Sequence, residues 1–289
     1  MNGQQTNPPD GFQPPVILMF GVTEEVSRYM VAKDFVDQTE DQFVFPDLIQ
    51  NDYFQKYRHG YYATRDNGFL NQHRNYVNLL LHLNDIHEYN EQHAKSFAKR
   101  FRSNKKDWKN CEAIFSEIIV YRNYIHSVYE GLIKKIELHE SESDIIIERL
   151  DGSKAYLEIF CIMPNFPIPD PEKIVVIDVK THTQKELASV RQKLLRKIDK
   201  QKQFTKPRDN FAVIELNDVS IAGDFTVLSS LSSGYEVKIN KKTMESISEG
   251  YNWEDSIFDD PSTKFLKGII YFNLGDYSSR KFLFNPYFK

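Results

Sequence analysis

Two short runs between Asp144 and Ile162 constrain this chain more than any other stretch. Residues 144–149 (Asp, Ile, Ile, Ile, Glu, Arg) are dominated by β-branched side chains, and residues 155–162 (Ala, Tyr, Leu, Glu, Ile, Phe, Cys, Ile) carry a strand pattern. Leu150, Asp151, Gly152 and Ser153 separate them, and Gly152 can take a positive φ at little cost, so the stretch predicts a β-hairpin. A three-residue loop of Leu150, Asp151 and Gly152 pairs Arg149 with Ser153 and sets Asp144 opposite Glu158. Directly opposed residues on one face have Cβ atoms about 4.5–5.5 Å apart. This register puts Asp144, Glu148, Glu158 and Phe160 on one face and Ile145, Ile147, Leu157, Ile159 and Cys161 on the other. A two-residue loop would slip the register and put Asp144 and Glu158 on opposite faces. The three-residue loop separates polar from apolar residues and is the expected one.

Two opposed carboxylates on a half-buried sheet face repel each other. A hard cation such as Mg²⁺ between them, a shared proton, or a basic partner would make the pair stable. The ordinary alternative is an acidic face turned to solvent.

The surrounding elements widen the pattern. Residues 110–130 form an amphipathic helix by the spacing of Ile114, Ile118, Tyr121, Ile125 and Val128, and Glu117 lies on it. Residues 132–138 are expected as a strand. After the hairpin, Pro164, Pro167, Pro169 and Pro171 mark an extended loop, and residues 173–180 read as a strand ending in Asp178, Val179 and Lys180. Residues 184–204 form a long helix with a buried stripe of Leu187, Val190, Leu194 and Ile198, and residues 211–216 form a buried strand.

In this order, a helix carrying Glu117, an Asp144 strand, a Glu158-Ile159-Phe160 strand, a helix and an apolar strand, the chain resembles the PD-(D/E)xK nuclease superfamily over roughly residues 108–286. The resemblance implies an α+β fold: a restriction-endonuclease-like core with a central mixed β-sheet flanked by helices. It implies Asp144 and Glu158 as Mg²⁺ ligands, with Glu117 approaching the same site. The lysine that orients or activates water in that family has no counterpart here, because Phe160 stands in its place. A second assignment stays open, in which Asp178 and Lys180 form the motif and Glu158 is the upstream acid. Under the first assignment a lysine would come from elsewhere, such as Lys180 or the next helix.

The helix at 184–204 carries Arg191, Lys193, Arg196, Lys197 and Lys200, a stripe of cations that could follow a phosphate backbone or simply face solvent. Any case for nucleic acid must be local, since the net charge is −4. Residues 95–109, with Lys95, Lys99, Arg100, Arg102, Lys105, Lys106 and Lys109, form another basic block, read as a solvated face or linker, and mark the expected boundary between a loop-rich, mainly helical region at 1–107 and the nuclease-like region at 108–289. Residues 72–102 are expected as helix, and their histidines are poorly spaced for a metal. Residues 243–258 show no clear period. Thr226–Leu231, Gly268–Phe272 and Lys281–Phe284 are expected as a helix or turn and a last pair of strands.

Cys111 and Cys161 are expected as packed thiols rather than a disulfide or zinc site. No apolar run approaches the length of a membrane span and no leader precedes the first residues, so the expectation is a soluble, cytoplasmic protein without membrane partners. Three functions follow: a Mg²⁺-dependent nuclease acting on DNA or RNA, a nuclease-like module that binds without cleaving, and a protein-interaction domain. A homodimer is compatible with each.

Overall fold

The computed structural model describes residues 17–19, 42–54, 74, 76–104, 106–139, 143–163, 190–199, 204, 206–217 and 222–288. The strand expected at 173–180, with Asp178 and Lys180, lies outside these residues, as do residues 184–189 and 200–203 of the helix expected at 184–204, Lys200 among them.

The fold is α+β, with helices on both faces of a mixed sheet. Three strands in succession, β2 (Lys135–His139), β3 (Ser143–Glu148) and β4 (Lys154–Ile162), form an antiparallel meander. A helix over 190–199, α4, then leads to β5 (Asp209–Leu216), which pairs parallel to β4. A parallel neighbour requires a crossover rather than a hairpin, and α4 lies in that crossover. Farther on, β8 (Leu266–Asn273) pairs parallel to β5, β9 (Asp276–Phe284) antiparallel to β8, and β1 (Ile17–Met19) antiparallel to β9. The full order is β1-β9-β8-β5-β4-β3-β2.

Each sheet face is buried against a different set of helices. Ile145, Ile147, Leu157, Ile159, Val213 and Ile270 point toward α1 (Tyr76–Tyr89), α2 (Glu91–Ser103) and α3 (Trp108–Tyr129), where they share a core with Leu83, Phe97, Phe101 and Ile118. Phe160, Ile162, Ile214 and Ile269 point the other way, onto Val190, Leu194 and Ile198 of α4 and onto α5 (Asp224–Leu231). Val190, Leu194 and Ile198 of the stripe read from the sequence are therefore on its buried face, and Leu187 lies outside the described residues.

The helix expected over 72–102 is two helices. Asn90 adopts an extended conformation and its side chain accepts from the amides of Gln92 and His93, both at 3.1 Å, which starts α2 afresh. Two strands not expected from the sequence, β6 (Gly234–Ile239) and β7 (Ser246–Asn252), form a separate two-stranded ribbon.

A charged cluster sits inside the helical layer. Arg74 is 1 % exposed, and its guanidinium binds Glu112 of α3 and Glu215 of β5, with Nε 2.7 Å from Glu215 Oε1. Ser116 and Asn217 add hydrogen bonds to the two carboxylates, and the Phe115 ring lies 5.1 Å beneath the Arg74 guanidinium. Both glutamates are fully buried, so the cluster fastens α3 to the sheet through charges that have no access to water.

Candidate active site

The hairpin turns as the sequence implies. Gly152 has φ +81°, its amide donates to Arg149 O at 3.0 Å, and Arg149 N donates to Ser153 O at 2.8 Å. Ile145 opposes Leu157 and Glu148 opposes Lys154, a register that carries Asp144 to the position opposite Glu158. The paired ladder stops at Ile145 and Leu157. Beyond it the Ile159 N–H donates to Asp144 Oδ2 at 2.7 Å instead. The Glu158 carboxyl also hydrogen-bonds Asp144, so the two acids meet. Glu158 is 2 % exposed.

A third acid arrives from α3. Glu117 is buried and close enough to Asp144 for their charges to interact, which the position of Asp144 at the start of β3 allows. Arg100 of α2 grips Glu117 through both carboxylate oxygens, at 2.5 and 2.8 Å. Burial and then the Asp144 charge push the Glu117 carboxyl up to about 7, against the pull of Arg100. Burial likewise raises the Asp144 carboxyl, against the pull of the Ile159 amide, Lys197 and Arg100.

The cation that faces these acids comes from α4. Lys197 Nζ donates to Ile159 O at 3.1 Å and sits 4.4 Å from the centre of the Phe160 ring. Its charge acts on both Asp144 and Glu117. Ile159, between Glu158 and Phe160, therefore ties both sides of the site together: its N–H holds Asp144 and its C=O holds Lys197. Phe160 itself is buried against α4 and offers Lys197 an aromatic face that attracts an ammonium without neutralising it.

The other cations of α4 have different partners. Arg191 donates to Asp255 O at 2.8 Å and Ser256 O at 3.1 Å, and Lys193 to Met163 O at 2.7 Å. Arg196 is exposed. Three of these four described cations thus donate to the protein's own backbone, and of the three Lys197 also acts on the acidic site. Arg100, which the sequence places in a solvated basic block, is the residue missed here. Its spacing on α2 gives no sign of the glutamate it meets.

Three acids against two cations leave the cluster with one excess negative charge when all are ionised. Among the described residues no three His, Cys, Asp or Glu side chains are arranged as a ready metal cage. Mg²⁺ asks for less, since it keeps several waters and is held through one or two carboxylates. Asp144 and Glu158 supply that pair, so the donor set is compatible with a hard, partly hydrated cation. Among the described residues no helix is long and apolar enough to cross a membrane. The chain matches no family model, no curated protein and no solved structure in the comparisons made.

Proposed function

We propose that this chain is a metal-dependent phosphodiesterase of the PD-(D/E)xK nuclease type, with its lysine delivered by α4 rather than by the motif strand. The observation that carries this reading is Lys197, resting on the Phe160 ring and the Ile159 carbonyl beside Asp144. The succession α3, β2, β3, β4, α4, β5, with β4 and β5 parallel, supports the same reading, because it is the order of elements that the sequence resemblance implies.

In this reading Asp144 and Glu158 hold Mg²⁺, which when bound supplies Lewis acidity and lowers the pKa of a coordinated water. Ile159 fixes the Asp144 carboxylate, so the pair is oriented before any ligand arrives. Lys197 orients the attacking water and stabilises charge developing on the phosphoryl oxygens. Its ammonium is held by a carbonyl and a ring, which leaves its positive charge available. Arg100 keeps Glu117 turned toward Asp144. Phe160 in the motif position favours a second reading, a module that binds nucleic acid or protein without cleaving.

The test is cleavage of single- and double-stranded DNA and RNA with Mg²⁺ or Mn²⁺, using wild type, Glu158→Gln, Lys197→Met, Lys180→Ala and Phe160→Lys/Lys197→Met. Removing one preorganised charge stabiliser costs about 10²–10³ in rate. The expected result is metal-dependent cleavage that falls by about that factor in Glu158→Gln and in Lys197→Met. Lys180→Ala should leave it unchanged, and the double variant, which restores a lysine to the motif strand, should regain part of it. Loss in Lys180→Ala with full activity in Lys197→Met would move the site to Asp178 and Lys180. A wild type that cleaves none of these substrates would refute the nuclease and leave the binding module.

A further inference from the structure

The ribbon of β6 and β7 carries an apolar face that, among the described residues, is covered only at its base. Tyr235 pairs with Tyr251 and Val237 with Glu249, so these side chains share one side with Ile239, and Ile247 joins them at the irregularity near the tip. Glu236 and Lys238 point to the other side, where Glu236 accepts from Asn252 Nδ2 at 2.6 Å. At the base of the apolar side, Phe225 of α5 meets Tyr235 and Tyr251, with ring centres 6.3 and 6.5 Å away. Val237 is 51 % exposed, Ile247 69 % and Met244 71 %. Six of the eleven exposed large hydrophobic residues among the described ones, Phe225, Tyr235, Val237, Ile239, Met244 and Ile247, lie on this ribbon and its base. Such concentration marks an interaction surface rather than scattered exposure.

Charge narrows the partner. Residues 234–252 contain Lys238, Lys241 and Lys242 against Glu236, Glu245 and Glu249, so the ribbon has no net charge and offers no electrostatic grip on a phosphate backbone. The charges are nevertheless sorted. Lys241, Lys242 and Glu245 give the tip one net positive charge, while Lys238, Glu236 and Glu249 give the two strands one net negative charge, with Glu249 on the apolar side. A two-fold axis across the ribbon would lay tip lysines of one copy beside Glu249 of the other while the apolar faces meet. A closed dimer requires such a self-complementary patch.

We propose that the ribbon is a homodimerisation arm, packed apolar face to apolar face on the same ribbon of a second copy. The proposal stands independently of the nuclease reading. It is tested by sedimentation velocity of the full chain over a wide concentration range. Wild type should show a concentration-dependent dimer. Val237→Glu/Ile247→Glu should be monomeric with an unchanged circular dichroism spectrum, because both positions are exposed. Lys241→Glu/Lys242→Glu and Glu249→Lys should each weaken self-association by at least tenfold. Mixing these last two should restore a dimer, since each then offers the charges the other lacks. A monomeric wild type at every concentration would overturn the proposal. So would a dimer that persists in Val237→Glu/Ile247→Glu, or a mixture no tighter than its components.

Discussion

Glu117→Gln isolates the cost of crowding acids in the candidate site. In the folded chain the Glu117 carboxyl is pushed from 4.5 up to about 7, chiefly by burial and then by Asp144. A difference of about 2.5 pH units is worth about 3 kcal/mol at 1.36 kcal/mol per unit. Between these two values the folded chain keeps a proton that the unfolded chain has lost, so stability falls as pH rises. The contribution is fully present below pH 4.5 and is lost as pH rises through about 7. Asp144, also raised by burial, acts in the same direction. Glutamine imitates the protonated acid in shape and still accepts from Arg100, so the variant should match wild type near pH 4.5. By pH 8 it should be the more stable by about 3 kcal/mol. Chemical denaturation at a series of pH values between 4.5 and 8 measures this, and titrating groups that do not interact with Glu117 cancel in the difference. Parallel curves for the two proteins would refute the argument that a buried Glu117 is held protonated beside Asp144.

Two further substitutions test the scaffold. Arg74→Met strands Glu112 and Glu215 in a site without water, and should cost about 3–5 kcal/mol. With a urea m-value of about 3 kcal/mol/M the midpoint would drop by more than about 1 M, and Arg74→Met/Glu112→Gln/Glu215→Gln should recover most of it. Gly268→Ala brings a Cβ within 2.8 Å of Leu283 O where β8 meets β9, so it should lower stability by about 1–3 kcal/mol, read as a fall in thermal midpoint.

The hairpin was legible because its two constraints agree. Gly152 fixes the loop, and only one register gathers Ile145, Ile147, Leu157 and Ile159 on one side. The burial of α4 was legible for a similar reason, since Val190, Leu194 and Ile198 recur at four. The break at Asn90 was available as well, because Asn is a strong helix start, but the apolar period of 72–102 runs through it. β6 was available from the alternation of Tyr235, Val237 and Ile239 with Glu236 and Lys238, but its partner was not, because β7 is mostly Ser, Glu and Gly and shows no such period. The cation side of the site was legible only in part, since the sequence points to the helix after the motif strand as a source of lysine but not to which residue of it, nor to Arg100. Lys197 looks like any other lysine of a basic helix until β4 is known to aim Phe160 at α4, and Arg100 meets Glu117 only because α2 folds back along α3. Such meetings depend on tertiary packing, which no local period encodes.

The residue spacing of the candidate site has a kinetic consequence. Glu117, Asp144, Glu158 and Lys197 belong to four separate elements, and the first and last stand 80 positions apart. The meander of β2, β3 and β4 needs only short loops, but seating α4 requires β5 to pair beside β4 across a long crossover. Contacts of such high sequence separation form slowly, after local ones. Sequence separation thus predicts that the acids gather early and the lysine comes last. If α4 opens as a unit before the rest of the sheet, hydrogen exchange of its amides will report the same event that empties the lysine seat.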